Sequence, residues 1–224
     1  MIYALSTKRG LGLELWGTYD DLNLLYEVVG NFWNDEIKIN AKGSKNRDAL
    51  ISSFSYEIRH TYQGDRMKSD INHLNFQTGQ YLGCRFSWVH IFFSLAALKY
   101  NMRFKEISKL DTATFLLLEY WIEKCLQSFD KCGDELVPYI QDAIYPANEY
   151  IYHYMRTINA EYFNLGGGKK GFKKLPQLLR KSVFGTIEYY DYLEVLKNEA
   201  KRLDCRIDDL EINDNHIDYS KIVW

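Results

Sequence analysis

The sequence has few of the residues and segments that characterise several protein classes. It contains 3 prolines and 14 glycines in 224 residues, too few for a fibrous or low-complexity chain. Its 28 lysines and arginines are balanced by 30 aspartates and glutamates, so it lacks the basic excess of a dedicated nucleic-acid-binding domain. Apolar residues make up 46% of the chain, too many for intrinsic disorder. A compact globular protein remains.

Cysteines and long apolar runs are also scarce. No pair among the four cysteines has the two-residue spacing of a zinc or redox site. The longest apolar segment, 86–98, has 13 residues, whereas a membrane-spanning helix needs about 20. Residues 1–9 lack the basic and then apolar order of a signal peptide. We therefore expect reduced, buried thiols, a cytoplasmic location and no membrane partner. The cysteines are Cys84, Cys125, Cys132 and Cys205.

Aromatic residues, in contrast, are abundant, with 18 Tyr, 12 Phe and 5 Trp. Near the N-terminus, short apolar runs at 2–6 and 11–16 predict a β-hairpin. A second hairpin is expected at 73–76 and 80–86, and residues 36–40 are compatible with a short additional strand. Residues 206–212 alternate loosely and suggest a late strand.

Helical spacing of apolar residues covers most of the remaining chain. Leu22 to Trp33 carry a helical stripe, and 46–63 fit both a helix and a strand, although their length and Gly64 favour a helix. Further helices are predicted at 88–101, 111–129, 134–144, 147–163, 174–183 and 186–203. The layout predicts one α+β domain over 1–224, in which a small antiparallel sheet from N-terminal hairpins packs with a predominantly helical array. Its β-containing part is 1–87 and its helical part is 88–224.

The densest cluster of reactive side chains is the segment 56–66. A histidine flanked by aspartate and arginine can move protons or bind an anion, so His60, Arg59, Asp65 and Arg66 are candidate catalytic groups. Tyr56 and Tyr62 are candidate ligand-binding residues on the same helix. The structural alternative is a helix C-terminus, where His and Arg favour the negative end of the dipole.

Three stretches carry a resemblance to a known class of family. Gly12-Leu13-Glu14-Leu15-Trp16-Gly17-Thr18-Tyr19-Asp20-Asp21-Leu22, Arg59-His60-Thr61-Tyr62-Gln63-Gly64-Asp65-Arg66 and Leu95-Ala96-Ala97-Leu98-Lys99-Tyr100 resemble an uncharacterised bacterial family of the domain-of-unknown-function class. The resemblance covers most of the chain. It implies a bacterial, cytosolic setting and no mechanism.

Two further spacings point to chemistry on weaker grounds. Arg85 and His90 have the Arg-x4-His spacing of the helical HEPN ribonucleases, but a strand-to-helix junction is predicted here. The structural alternative is that His90 is a hydrogen-bonded core histidine. Glu57 and His60 have the spacing of one ligand pair in di-iron bundles, but no second pair accompanies them. We therefore expect no metal and no other cofactor.

Charge is unevenly distributed along the C-terminal half. The segment 165–181 is basic and glycine-rich, whereas 186–224 is acidic. Lys169 and Lys170 are candidate ligand-binding residues for an anion at 166–181. Alternatively, the two zones neutralise each other, within one molecule or between two copies. Because the whole chain is slightly acidic, nucleic acid is not an expected partner.

The sequence favours two functions from different classes. The first is a non-catalytic binding or regulatory module that self-associates, because tyrosines are concentrated on the later helices. The second is an enzyme that acts on a phosphate-bearing substrate such as RNA. In that case the acting groups are Arg59, His60, Asp65, Arg66, Arg85 and His90.

Overall fold

The computed structural model describes residues 1–33, 42–69, 80–211 and 221–224. Within these ranges, four strands form one antiparallel sheet in the order β1-β2-β4-β3. The strands are β1 (Tyr3–Ser6), β2 (Gly12–Gly17), β3 (Met67–Ser69) and β4 (Tyr81–Ser87). The α-helices are α1 (Tyr19–Gly30), α2 (Ser44–Tyr62), α3 (Trp88–Met102), α4 (Lys109–Phe129), α5 (Val137–Gln141), α6 (Ile151–Asn164), α7 (Gly168–Phe172), α8 (Leu175–Leu179) and α9 (Ile187–Arg202). The predicted α+β class, with a small antiparallel sheet and a helical majority, is confirmed.

Strand register gives the two faces of the sheet different characters. Ala4, Leu15 and Cys84 lie opposite one another on β1, β2 and β4, and all three are buried. The next row is Leu5, Glu14 and Arg85, where the Arg85 Nε donates to Glu14 Oε1 at 2.9 Å. Because side chains alternate along a strand, one face packs into the core and the other carries this ion pair.

The core is centred on α3, which follows β4 without a loop. The Ser87 side chain accepts a hydrogen bond from the His90 backbone N–H and caps this helix. Trp88, Phe92 and Leu95 are fully buried, as the 86–98 run predicts for a core helix. No helix in the described part of the chain is long and apolar enough to cross a membrane. Buried hydrophobic residues from Ile2 to Leu196 form one cluster.

Several predicted helix boundaries are wrong, and short-range chemistry explains them. The 134–144 helix is replaced by a 3-10 helix (Lys131–Leu136) followed by α5, because Pro138 cannot donate a backbone hydrogen bond and starts a new helix. The 147–163 helix begins only at Ile151, since the Asn148 side chain accepts from the Tyr150 backbone N–H and holds a turn there. The 174–183 helix divides into α8 and a 3-10 turn.

The strand predictions have mixed outcomes. The first hairpin is confirmed as β1 and β2, and the ambiguous segment 46–63 is the helix α2. The late strand at 206–212 is wrong, because Ile207–Asp209 form a 3-10 helix. The predicted strands 36–40 and 73–76 lie outside the described residues. Among the described residues, β3 pairs with β4 on the side away from β2, and the sequence did not suggest this strand.

Candidate functional site

One face of α2 lines a small groove against α1. Ser52, Ser55, Tyr56 and Arg59 follow the i, i+3, i+4, i+7 spacing that aligns side chains on a helix. They face Tyr26 of α1 and Trp33, which follows that helix. The groove has a volume of about 110 Å³. We call it the α1–α2 groove; its lining residues are Tyr26, Trp33, Ser52, Ser55, Tyr56 and Arg59.

Arg59 is the charged group of the α1–α2 groove. Its Nε is buried and donates to no acceptor in the described part of the chain. Its guanidinium carbon lies 5.4 Å from the centre of the Tyr56 ring, within range of a cation–π contact. Among the described residues no carboxylate pairs with it. Arg66, Arg85 and Arg180, in contrast, each pair with a glutamate.

His60 and Asp65 lie beside this groove without lining it. The His60 Nδ1 is 2.9 Å from Asp65 Oδ2, and the His60 ring centre is 4.2 Å from that of Tyr56. Asp65 can reach back because Gly64 has φ of +83°, a left-handed conformation that ends α2. The Asp65 N–H then donates to the His60 carbonyl at 2.9 Å.

Arg66 follows α2 and forms an ion pair with an acidic residue of that helix, Glu57. Its Nε and Nη2 donate to the two Glu57 carboxylate oxygens at 2.8 and 3.0 Å. This bidentate bond raises the pKa of Arg66 above its usual value. Arg66 therefore pairs with Glu57 and does not line the α1–α2 groove.

Tyr62 supports the α1–α2 groove from outside. Its ring makes edge-to-face contacts with Tyr19 and Tyr26, each with centres 5.6 Å apart. Partial burial and the neighbouring tyrosines raise the pKa of its hydroxyl. Tyr26 therefore belongs both to this aromatic cluster and to the groove wall.

Arg85 and His90 lie on other elements. Arg85 pairs with Glu14 on the sheet, whereas His90 lies in α3, so the expected strand-to-helix junction is present. Burial lowers the pKa of His90 to about 4, which keeps the ring neutral at physiological pH. The predicted hydrogen bond is lacking at Nε2, which is buried and has no partner in the described part of the chain.

A comparison with protein families covers this whole arrangement. The model of a domain of unknown function, DUF6904, matches residues 2–224. The chain belongs to the DUF6904 family. The resemblance to a family of this class is thereby confirmed, while bacterial origin stays a prediction. No curated protein and no solved structure matches the chain.

The basic segment 165–181 of this DUF6904 chain is partly neutralised from within. Lys181 pairs with Glu161 at 2.6 Å, and Lys169 lies 3.8 Å from Asp130. Arg180 pairs with Glu188 at 2.6 Å, which joins the basic zone to the acidic C-terminal part. Lys170 is exposed. Anion binding at 166–181 stays a prediction.

Metal ligation and thiol chemistry have little support in the described ranges. Those residues hold no group of three or more His, Cys, Asp or Glu side chains that could bind a metal ion. All four cysteines are free, and burial raises the pKa of both Cys84 and Cys125 to about 12. Such thiols are not ionised at neutral pH, so they are poor nucleophiles and metal ligands.

Sequence reasoning found Tyr56 and Arg59 but missed the other groove residues of this DUF6904 chain. Ser52 and Ser55 had a usable signal, since they share a helical face with Tyr56 and Arg59. Tyr26 had none, because its position as a wall depends on how α1 packs against α2. The same holds for Trp33.

Proposed function

We propose that this protein is a non-catalytic binding module that recognises an anionic group in the α1–α2 groove. The observation that carries this proposal is Arg59. Its guanidinium faces a groove and has no carboxylate partner among the described residues, although it is close to an aromatic ring. A partly buried cation without an internal counter-ion gains free energy when a ligand supplies the negative charge.

The lining indicates the chemistry of the ligand. A guanidinium presents a planar set of donors that matches carboxylate and phosphate oxygens. The hydroxyls of Ser52 and Ser55 supply further donors in the same groove. A volume of about 110 Å³ suits one such group and not a whole nucleotide. The rings of Tyr26, Trp33 and Tyr56 favour a ligand whose anionic group is attached to a planar, apolar body.

Binding is favoured over catalysis because the other candidate groups have different contacts. Arg66 is held by Glu57 and Arg85 by Glu14. His90 is neutral and its Nε2 is buried. An enzyme of the predicted kind requires a histidine and arginines that converge on one phosphate.

The experiment compares two arginines that both lie over a tyrosine ring. Isothermal titration calorimetry with phenyl phosphate and inorganic phosphate measures binding to the native protein, R59Q and R103Q. We expect R59Q to weaken phenyl phosphate binding about tenfold or more, because a charge-assisted bidentate contact is lost. Arg103 is exposed, lies 5.4 Å from the Tyr100 ring centre and lines no described groove, so R103Q should bind normally. Equal affinity of the two variants would contradict the proposal.

The His60–Asp65 pair supports the enzymatic alternative as a second candidate. A carboxylate 2.9 Å from a histidine nitrogen is a common arrangement for acid–base catalysis. The same protein preparations can be assayed for cleavage of RNA and of a phosphodiester. Turnover that H60Q abolishes, with binding of phenyl phosphate retained, would favour the enzyme over the binding module.

Self-association is the remaining part of the proposed binding role. Three large apolar side chains are exposed around the start of α9, namely Phe184, Ile187 and Tyr190. Ile187 is 75% exposed, and the rings of Phe184 and Tyr190 have centres 6.0 Å apart. A cluster of this kind is typical of the core of an interface between copies.

Sedimentation equilibrium tests this interface with two matched variants on α9. We expect the native chain to form dimers and I187D to be monomeric, because burying a carboxylate in an apolar interface is costly. Val195 is also exposed on α9, at 53%, but lies outside the cluster, so V195D should remain dimeric. A monomeric native chain at high micromolar concentration would rule the interface out.

A further inference from the structure

A second groove lies between β1 and α4 and shares no lining residue with the α1–α2 groove. In the described part of the chain β1 is an edge strand of the sheet, and α4 packs against it. The groove has a volume of about 470 Å³, within the range of small-molecule sites and several times that of the α1–α2 groove. We call it the β1–α4 groove; it is lined by Ala4, Leu5, Ser6, Tyr120, Trp121, Lys124, Cys125 and Ser128.

Much of this lining is apolar. Leu5 is 51% exposed and Tyr120 is 50% exposed, so both offer apolar surface to a ligand. The rings of Tyr120 and Trp121 pack edge to face, with centres 5.4 Å apart. Burial raises the pKa of Cys125 to about 12, so its thiol stays neutral and contributes another apolar surface. The apolar body of a ligand would therefore be desolvated here.

Two polar groups of the groove lack protein partners in the described ranges. Lys124 is exposed, and its Nζ lies 5.6 Å from the centre of the Tyr120 ring without an ion pair. Other lysines, such as Lys99 and Lys181, do pair with glutamates. The Trp121 Nε1–H is shielded from solvent and donates to no described acceptor. A ligand in this groove can thus supply a negative charge to Lys124 and an oxygen acceptor to the Trp121 indole N–H.

We propose that the β1–α4 groove binds an amphiphilic carboxylic acid. Its carboxylate pairs with the Lys124 ammonium, and one carboxylate oxygen accepts from the Trp121 indole after a small shift of the groove wall. Its apolar chain lies along Leu5, Tyr120 and Cys125. The class follows from chemistry, since one anionic head and one apolar body satisfy a lone lysine, an unpaired indole N–H and an apolar wall together. The site is separate from the α1–α2 groove and does not depend on it.

The test uses octanoate, with 1-octanol and butyrate as comparison ligands, and follows the five tryptophan indole N–H signals by ¹H–¹⁵N NMR. We expect octanoate to shift the Trp121 signal, which is assigned by its loss in W121F. Octanoate should bind about tenfold more tightly than octanol, which lacks the charge, and than butyrate, which lacks the chain. A merely apolar groove would bind octanol at least as tightly as octanoate.

Matched lysine variants decide the role of the charge. K124Q should weaken octanoate binding about five- to tenfold and leave octanol binding unchanged. Lys109 is exposed on the same helix but does not line the groove, so K109Q should bind octanoate normally. The Trp121 signal separates this site from the α1–α2 groove, because Trp121 lines the β1–α4 groove and not the other one. Octanoate binding that is equal in K124Q and K109Q, or no shift of the Trp121 signal, would overturn the proposal.

Discussion

The two ends of α2 carry the same residue type in opposite environments. Near the N-terminal end, Arg47 has no exposed surface, and its Nη1 donates to the Lys42 and Pro146 carbonyls at 2.9 and 3.0 Å. Its Nε donates to Asn101, and its guanidinium carbon is 4.2 Å from the Tyr100 ring centre. Towards the C-terminal end, Arg59 lies over a ring as well, but it has no described acceptor and it lines a groove.

This difference shows what turns an arginine into structure or into a site. Arg47 joins the segment before α2 to the loop before α6 and to α3. Backbone carbonyls accept from its Nη1 and the Asn101 side chain accepts from its Nε, while its Nη2 is buried without a partner in the described ranges. Gly43 makes room for this, since its φ is +73° and an added Cβ would lie 3.0 Å from the Arg47 Nη1. Arg59 has the same chemistry, but its neighbours leave donors for a ligand. Acceptors in the surrounding fold thus separate the two roles.

The largest expected effect is the loss of stability when Arg47, near the N-terminal end of α2, is replaced. R47M removes the donors for the part-buried carbonyls of Lys42 and Pro146, and it also removes the cation–π contact with Tyr100. We expect a loss of about 2–3 kcal/mol in the free energy of unfolding, measured by urea denaturation. R59M is the same substitution on the same helix. It should change the free energy of unfolding by about 0.5 kcal/mol or less, because the substitution breaks no described hydrogen bond. Equal losses in the two variants would show that both arginines are structural.

A smaller effect concerns acid stability near the C-terminal half of α2. The His90 ring contacts Phe86, which packs on Phe54 of α2. Its pKa is about 4 in the folded protein and about 6.5 in a model peptide, because burial penalises the charged ring. Between these values the unfolded chain binds the extra proton. Stability is therefore full above pH 6.5 and falls towards pH 4, by at most about 1.4 kcal/mol per pH unit.

The measurement is the urea midpoint of the native chain and of H90L at several pH values between 4 and 7. H90L removes the titration, so its profile should be flatter. Some slope will remain, because burial also lowers the pKa of His153. An unchanged slope in H90L would show that His90 keeps an ordinary pKa in the folded protein. R47M should keep the native slope, since it leaves His90 untouched.

Local patterns in the sequence were enough for much of the fold. Alternation at 11–16 predicted β2, the apolar run at 86–98 predicted the buried part of α3, and Gly64 predicted the end of α2. These signals are local, because they depend on side-chain period and on the few residues that favour left-handed backbone. Predictions failed where a nearby group interrupted the predicted helix, as Pro138 does at the start of α5.

Only part of the candidate site could be predicted from such local patterns in the sequence. Tyr56 and Arg59 stood out within the reactive segment 56–66, and the spacing back to Ser52 belonged to the sequence too. Nothing in the sequence showed that Glu57 would form an ion pair with Arg66, or that Glu14 would form one with Arg85. Those pairs join residues 9 and 71 positions apart, so strand register and the turn after α2 decide them.

The sequence by itself therefore determined the class of this protein, the order of most elements and the location of the reactive segment. Its composition and periodicity act over a few residues, and that range suffices to form and end helices and strands. Only the tertiary structure decided which charges remain for a ligand. In the folded chain Arg47 is buried among carbonyls, and Arg66 and Arg85 form ion pairs with glutamates. Arg59 and Lys124, in contrast, line grooves. The physical reason is that a counter-ion or acceptor is supplied by whichever chain segment packs nearby.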